Sequence, residues 1–231
     1  KEPIATSAKL DTLEKTYDAV FIGIGLGATK ALSIPGENLE NCHGAVEFIE
    51  SLRMQNHNTP VGKRVIVLGG GNTAMDAASE SARMGADEVL LCYRRSKDHM
   101  GAYEFEFDLA KQVGARGVFQ VAPIEIIGNG HVEGVRFIRT EDVDGSIQNV
   151  QGSEFTEPCD MVIRATGQSK MVDLLHQMDG IQLDDRHRIV VDAKLGRCGT
   201  SKYFAGGDAV NGGKEVVNAV AEGKVAAQGI I

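Results

Sequence analysis

The stretch that most constrains this chain is Lys63-Arg-Val-Ile-Val-Leu-Gly-Gly-Gly-Asn-Thr-Ala-Met-Asp-Ala-Ala78. An apolar run, Val65 to Leu68, leads straight into Gly69-Gly70-Gly71 and on to Ala74, a Gly69-x-Gly71-x-x-Ala74 pattern that opens a segment of helical spacing. Strand, glycine turn and helix in that order form the dinucleotide-binding fingerprint. Gly69 permits the tight turn off the strand, and Gly71 lets the backbone approach a pyrophosphate. Ala74 is small enough for the helix to lie close to the sheet. The helix N-terminus then offers unpaired N–H groups and a partial positive charge to phosphates. Ala74, Ala77, Ala78 and Ser81 recur at i, i+3, i+4 and i+7, so one whole face of the helix is small, and Gly85 closes it as a C-cap. The bland alternative is a glycine turn that only packs.

A second match, Gly23-x-Gly25-x-x-Ala28, ends the apolar run Tyr17 to Ile22. Pro35 argues against a second fingerprint, because it leaves room for barely two helical turns where a full helix is needed. The expectation is a strand that ends in a loop, Thr29 to Gly36, beside a cofactor. Lys1 to Thr16 reads as a polar lead-in, and Asn56 to Gly62 as a loop holding Pro60. Cys42 to Gln55 has helical spacing at Val46, Ile49 and Met54. Asp87 to Tyr93 is a second strand, closed by Tyr93-Arg94-Arg95. A helix from Ala102 or Tyr103 is expected to pack Phe105, Leu109 and Val113 and to stop at Gly114.

From Ala115 the character changes. Val118 to Val121, Ile124 to Ile127 and His131 to Thr140 read as strands around a Gly128-Asn129-Gly130 turn. Met161 to Thr166, Arg188 to Val191 and Tyr203 to Asp208 are further strands, and Lys214 to Gln228 is a helix carrying Val217, Val220, Ala221 and Lys224. Strands alternating with helices around a β-meander indicate an α/β class with a parallel sheet and an antiparallel insertion.

Composition narrows the function classes. The 231 residues, 42% hydrophobic, suffice for one large or two modest domains. A net charge of −8 argues against general affinity for nucleic acid or anionic membranes. No apolar run approaches the ~18 residues that span a bilayer, and Lys1 to Leu10 lacks a signal-peptide core, so a cytoplasmic location is expected. Cys42, Cys92, Cys159 and Cys198 share no C-x-x-C spacing, which speaks for reduced, partly buried thiols and against a zinc or iron–sulfur ligand set. His43, His57, His99, His131, His176 and His187 do not cluster with acids or cysteines, so no metal centre and no nucleophile–base set stands out.

In NAD-selective sites an acidic residue about 20 positions after the glycines takes the adenine-ribose hydroxyls. Here the second strand ends in Arg94-Arg95. A guanidinium pair matches a 2′-phosphate in shape and charge, at roughly 1.5–3 kcal/mol per charge-assisted hydrogen bond. NADP(H) is therefore favoured over NAD(H). The competing arrangement, one arginine in solvent and one stacked on adenine, serves NAD equally well. Asn72 stands either to cap its helix or to orient a pyrophosphate. Thr166-Gly167, at the carboxyl end of a strand, sits where ligands bind in such sheets or simply turns the chain. Asp208, after Gly206-Gly207, either accepts hydrogen bonds from a cofactor hydroxyl or caps a helix.

Tyr17 to Gly36, Val65 to Ala78 and Tyr93 to Arg95, joined by Glu104-Phe-Glu-Phe, Gly152-Ser-Glu-Phe and Tyr203 to Asp208, span nearly the whole chain. As an ordered set they resemble the FAD- and pyridine-nucleotide-binding oxidoreductases of the glutamate synthase small-subunit type. Within that group the chain is most similar to the nucleotide-binding subunit of bacterial dihydropyrimidine dehydrogenases. The resemblance implies a Rossmann-like three-layer (ββα) domain, 42–197, inserted between the parts of a second, FAD-type domain, 1–41 and 198–231. It implies hydride transfer between NAD(P)H and FAD, with electrons passed through iron–sulfur clusters to a catalytic partner subunit. It assigns Gly71, Asn72, Thr73, Arg94, Arg95, Thr166 and Gly167 to the pyridine nucleotide. Gly27, Gly207, Asp208 and Val216 go to FAD, with Asp208 on the ribityl chain, and no side chain is needed as acid or base for the hydride step. The family's FAD fingerprint and cysteine-rich iron–sulfur region belong upstream of Tyr17. The expectation is therefore a fragment that holds FAD poorly or not at all, with iron–sulfur clusters lying outside it.

Overall fold

The computed structural model describes residues 7–56, 58–199 and 202–231. In chain order the elements are α1 (Ser7–Thr16), β1 (Val20–Ile22), β2 (Cys42–Gly44), α2 (Ala45–Met54), β3 (Arg64–Leu68) and α3 (Asn72–Arg83). They continue as β4 (Glu88–Tyr93), α4 (Glu104–Gln112), β5 (Ala115–Phe119), β6 (Val121–Gly128), β7 (Val132–Val143), β8 (Ser146–Asn149) and β9 (Phe155–Pro158). The last are β10 (Met161–Arg164), α5 (Val172–Leu175), β11 (Tyr203–Ala205), α6 (Asp208–Asn211) and α7 (Val216–Ile230). The chain forms two compact units, Ala28–Gly167 on one hand and Lys1–Gly27 with Gln168–Ile231 on the other.

The Ala28–Gly167 unit is built on a five-stranded sheet in the order β2-β10-β3-β4-β5, with every neighbouring pair parallel. Its central strands are apolar at successive positions because both faces are covered. Side chains alternate between faces. Val65, Val67, Val89, Leu91, Met161 and Ile163 pack with Ala45, Phe48, Leu52 and the alanines of α3. Ile66, Leu68, Leu90, Cys92 and Val162 pack with Val121, Ile126, Val135 and Phe137 of the second sheet. In that sheet β7 pairs antiparallel with β6, β8 and β9. Helices, parallel sheet and antiparallel sheet give the three-layer ββα architecture expected.

The small face of α3 is where the sequence placed it, with Ala74, Ala77, Ala78 and Ser81 all at 0% exposure. Two other helices turn a different face inward. In α2 the buried residues are Ala45, Phe48 and Leu52, while Met54, expected on that face, is exposed. In α4 Phe107 and Ala110 are buried, and Phe105 and Leu109 face solvent. The expected lead-in is the helix α1 from Ser7 onward, and its first six residues, like His57, lie outside the described residues. Arg188 to Val191 forms no strand, only a bridge between Leu183 and Ile189. β2, β8 and β9 are strands beyond those read from the sequence.

The second unit has a two-stranded parallel sheet, β1 with β11. Its core gathers Leu10, Ile22, Leu175, Met178, Ile189, Tyr203 and Ala205. The division between units differs from the 42–197 boundary. Leu32, Ile34 and Leu39 pack on the core beneath the antiparallel sheet, and the Ile126 amide donates to the Pro35 carbonyl at 2.9 Å, which ties residues 28–41 to the Ala28–Gly167 unit. Leu175, Met178 and Ile189 tie residues 168–197 to the other.

Candidate nucleotide site

β3 runs into the glycine turn at its carboxyl end, the edge where ligands bind in open parallel sheets. The Gly69 amide donates to the Cys92 carbonyl at 3.0 Å and the Ala165 amide to the Leu68 carbonyl at 2.8 Å, so the turn is held on both flanks. A side chain at Gly69 has no room: a Cβ there would lie 2.4 Å from the Ala165 carbonyl oxygen. At Gly70 a Cβ would meet the Tyr93 ring at 2.6 Å. A Cβ at Gly71 would meet nothing within 4 Å, so this residue leaves the first turn of α3 uncovered. Gly71 is the N-cap of α3. The amides of Asn72 and Thr73 stand in the first turn, where a helix supplies no acceptor.

The segment after Arg95 folds back onto this turn. The Gly70 carbonyl accepts the amides of Gly101 at 2.9 Å and Ala102 at 3.0 Å. The Tyr93 hydroxyl donates to the His99 carbonyl at 2.9 Å. Asn72 neither caps its own helix nor points its acceptor outward. Its Oδ1 accepts the Tyr103 amide at 3.1 Å, which ties the start of α3 to the start of α4.

Gly69, Gly70, Gly71, Arg94, Arg95 and Thr166 line one cleft of about 510 Å³. Leu32, Ile34, Leu68 and Val121 give it an apolar wall, and Tyr93, Gly101, Ala122 and Pro123 are among the residues that line the rest. Neither Arg94 nor Arg95 has a salt-bridge partner among the described residues, so the cleft carries two uncompensated positive charges beside a helix N-terminus. The expected loop after β1 is present and contributes Leu32 and Ile34. Gly167, with φ of 100°, turns the chain just beyond, and its carbonyl accepts the Lys30 amide at 2.9 Å. Ala74 is fully buried and serves helix packing, while Thr73 is exposed on the first turn. Tyr93 and the Gly101 segment escaped the sequence reading. Their signal was the Tyr93-Arg94-Arg95 triplet itself, whose tyrosine is the surface that Gly70 must clear.

Gly27, Gly207, Asp208 and Val216 belong to the other unit. Gly27 is held by its amide to the Ser169 carbonyl at 2.9 Å, and a Cβ on it would lie 2.4 Å from Ser169 Oγ. Gly207 has a φ of 77°, and its amide donates to Glu222 Oε2 at 2.6 Å, so Glu222 of α7 is the residue that fixes this turn. Gly207, and not Asp208, is the N-cap of α6. The Asp208 carboxylate accepts a long 3.4 Å bond from the Lys214 amide. A carboxylate offers about four acceptor positions, so most of its capacity is left for a hydroxyl donor, which fits a polyol chain such as that of FAD. Val216, at 78% exposure, opens α7.

Cys42, Cys92, Cys159 and Cys198 form no disulfide among the described residues, and Cys92, Cys159 and Cys198 are buried. Burial pushes the thiols of Cys92 and Cys159 up to about 12 and that of Cys198 up to about 11, so none of the three is a thiolate nucleophile near neutral pH. Among the described residues no cluster of histidine, cysteine and carboxylate side chains is arranged to hold a metal ion, and no helix is long and apolar enough to cross a membrane.

Residues 4–223 match the pyridine nucleotide-disulphide oxidoreductase family. The chain is 35% identical to the small chain of glutamate synthase [NADPH] from Escherichia coli, over 99% of this chain and 53% of that one. It is 37% identical to the beta subunit of the NADP(+)-dependent formate dehydrogenase of Moorella thermoacetica, over 98% of this chain and 33% of the relative. The chain thus spans about half or less of the length of these curated relatives. Among solved structures, FprA of Mycobacterium tuberculosis in complex with NADPH superposes with a TM-score of 0.71 at 21% identity, covering 95% of this chain and 64% of that one. That likeness speaks to fold, while the family match and the two relatives establish kinship: the chain belongs to the pyridine nucleotide-disulphide oxidoreductase family.

Proposed function

We propose that this chain is the electron-entry part of an NAD(P)H-dependent flavoprotein oxidoreductase and that the cleft at Gly69–Gly71 holds the pyridine nucleotide. One observation carries the reading. A glycine turn whose third residue leaves a helix N-terminus uncovered shares a cleft with two arginines that have no acidic partner among the described residues. The diphosphate belongs at the first turn of α3, on the amides near Asn72 and Thr73. The 2′-phosphate of NADPH belongs on Arg94 and Arg95, since planar guanidinium groups match phosphate oxygens in pairs. The apolar wall of Leu32, Ile34 and Val121 suits the flat faces of the coenzyme rings. Gly27, Gly207, Asp208 and Val216 are the residues for FAD, with Asp208 accepting from a ribityl hydroxyl. The flavin supplies the hydride acceptor, and the protein supplies orientation and charge without a side-chain acid or base.

The electrons go on to a partner subunit that carries the terminal reduction. Tyr103-Glu104-Phe105-Glu106 resembles the pyrimidine-reducing enzymes, which supports uracil or thymine as the final acceptor, with iron–sulfur centres between. A glutamate synthase role is the second reading, favoured by 35% identity to a relative of that name. A third, a nucleotide-binding module without turnover, would give coenzyme binding and no dye reduction.

Calorimetric titration with NADPH and NADH tests the site. Arg94→Ala and Arg95→Ala are each expected to weaken NADPH by about ten-fold or more and to leave NADH nearly unchanged, the loss of a charge-assisted phosphate contact. If both variants keep the wild-type ratio of affinities, the assignment of these side chains is wrong. NADPH-dependent reduction of uracil, or of 2-oxoglutarate with glutamine, by the complex isolated with its partner decides between the two acceptors.

A further inference from the structure

We propose that Thr140 is a positioning residue for Arg94 and Arg95, acting through a closed ring of hydrogen bonds that the antiparallel sheet lends to the nucleotide cleft. This rests on the reading of the arginines as ligands of a 2′-phosphate.

The last paired residue of β4 is Tyr93, opposite Phe119, so both arginines stand beyond the sheet's own ladder. Something else has to fix their backbone, and three hydrogen bonds do so. The Thr140 hydroxyl donates to the Arg94 carbonyl at 2.6 Å. The Gln120 amide donates to the Arg95 carbonyl at 3.1 Å, and the Thr140 amide donates to the Gln120 carbonyl at 2.9 Å. The path from Arg94 to Arg95, Gln120, Thr140 and back to Arg94 is closed. Gln120 is the single residue between β5 and β6, and its φ of 57° is left-handed. A side chain other than glycine is rare there, and the ring's two backbone bonds hold it in place.

The identity of residue 140 supports a directed role. Along β7 the other large buried side chains are apolar, Val132, Val135, Phe137 and Ile138, and Thr140 is 4% exposed. Ser79, Ser81 and Thr140 are the buried polar side chains among the described residues. Ser81 satisfies itself locally on the Ala77 carbonyl, whereas Thr140 reaches across to the end of β4. A valine would fill the same space and leave the Arg94 carbonyl unbound. Bidentate contact with a phosphate depends on direction as well as distance, so a backbone free to rotate at Arg94 and Arg95 would spoil both forks.

Titration of the full chain with NADPH and NADH separates the possibilities. Thr140→Val is expected to weaken NADPH by about ten-fold while NADH stays within about two-fold, the loss of one well-directed charge-assisted contact. Thr140→Ser, which restores the donor, is expected to bind both coenzymes as the parent chain does. A valine variant that melts normally and keeps the parent ratio overturns the proposal, and so does one that loses both coenzymes equally. If Thr140→Val does not yield folded protein, Thr140→Cys, a poorer donor, is expected to fall between the parent and Arg94→Ala, and a parent-like ratio there overturns the proposal as well. Should Arg94→Ala and Arg95→Ala shift the ratio while Thr140→Val does not, only the positioning role fails. Should the arginine variants leave the ratio unchanged, the 2′-phosphate reading fails and the role of Thr140 falls with it.

Discussion

The chain writes nearly the same glycine pattern at the ends of two strands and makes different things of them. After β1, Gly23, Gly25 and Ala28 lead into irregular chain, with Pro35 a few residues on. After β3, Gly69, Gly71 and Ala74 lead into the twelve residues of α3. At the first site a Cβ on Gly25 would meet nothing within 4 Å, and one on Gly23 would meet only the neighbouring Phe21 ring. At the second, Gly69 and Gly70 are pinned between Ala165 and Tyr93, and Gly71 alone is open. A glycine pattern therefore marks a turn. The features that a phosphate site needs, a helix whose small face lies against the sheet and first amides beside an open glycine, stand at the second turn.

The most severe way to break the contrast is Gly69→Ala. The new methyl would lie 2.4 Å from the backbone carbonyl of Ala165, the residue after β10, whose amide is bonded to the Leu68 carbonyl and which cannot move without loosening that edge of the sheet. A loss of about 3 kcal/mol is expected, seen as a large drop in Tm. Gly25→Ala faces open space and carries only the strain of a φ of 65°, about 1 kcal/mol. Equal losses at the two positions would mean that the two turns are built alike after all.

Gly71→Val moves the effect from folding to binding. Its φ of −103° and ψ of 175° suit a valine, and its Cβ meets no neighbour. The weaker N-cap costs up to about 1 kcal/mol. The methyls, however, would stand where a diphosphate has to approach, so NADPH affinity is expected to fall by about 100-fold, roughly 2.7 kcal/mol. The same substitution at Gly25 is expected to leave NADPH binding unchanged. A Gly71→Val chain that binds NADPH normally would remove the diphosphate from this turn.

How much of this could be read in advance varied with the source of the signal. The small face of α3 was legible because close helix–sheet contact allows nothing but small residues at Ala74, Ala77, Ala78 and Ser81, whatever the partner. The buried faces of α2 and α4 were not. Each helix offers apolar residues on two sides, and tertiary packing decides between them. Phe107 goes inward because its ring meets Phe119 edge-on at 5.8 Å, while Phe105 stacks outside on Tyr103 at 5.6 Å. β2 was invisible because Cys-His-Gly carries no strand preference, and pairing with β10 alone makes it one. The arginine pair was legible as chemistry, but not the ring that holds it, because a hydrogen bond from Thr140 to residue 94 leaves no local trace.

Asn72→Ala sharpens the comparison more gently. Only the second glycine turn ties its helix to another, through Asn72 Oδ1 and the Tyr103 amide. Without that acceptor the Tyr103 amide loses its partner, at about 1 kcal/mol. Faster hydrogen exchange at Tyr103 and the first turn of α4 is expected, with α3 itself unchanged. Loosening that began in α3 would show that Asn72 acts as a cap of its own helix.

The smallest effect expected is at Asp76, on the helix that distinguishes the two turns. Burial, with Glu106 of α4 and Glu80 of α3 nearby, raises its carboxyl above the ordinary 3.8, against the opposing pull of Arg53 and Arg83. An acid that is protonated more readily in the fold than in the unfolded chain makes stability fall as pH rises from 3.8 through the raised value. Asp76→Asn removes the penalty and keeps the shape, so a modest rise in Tm is expected at pH 7. The rise should vanish at about pH 3, where the parent aspartate is protonated in both states. A gain of equal size at both pH values would assign it to packing rather than charge. A loss at pH 7 would mean that Arg53 and Arg83 outweigh the two glutamates, and that α3 welcomes negative charge one turn in from the end that faces the cleft.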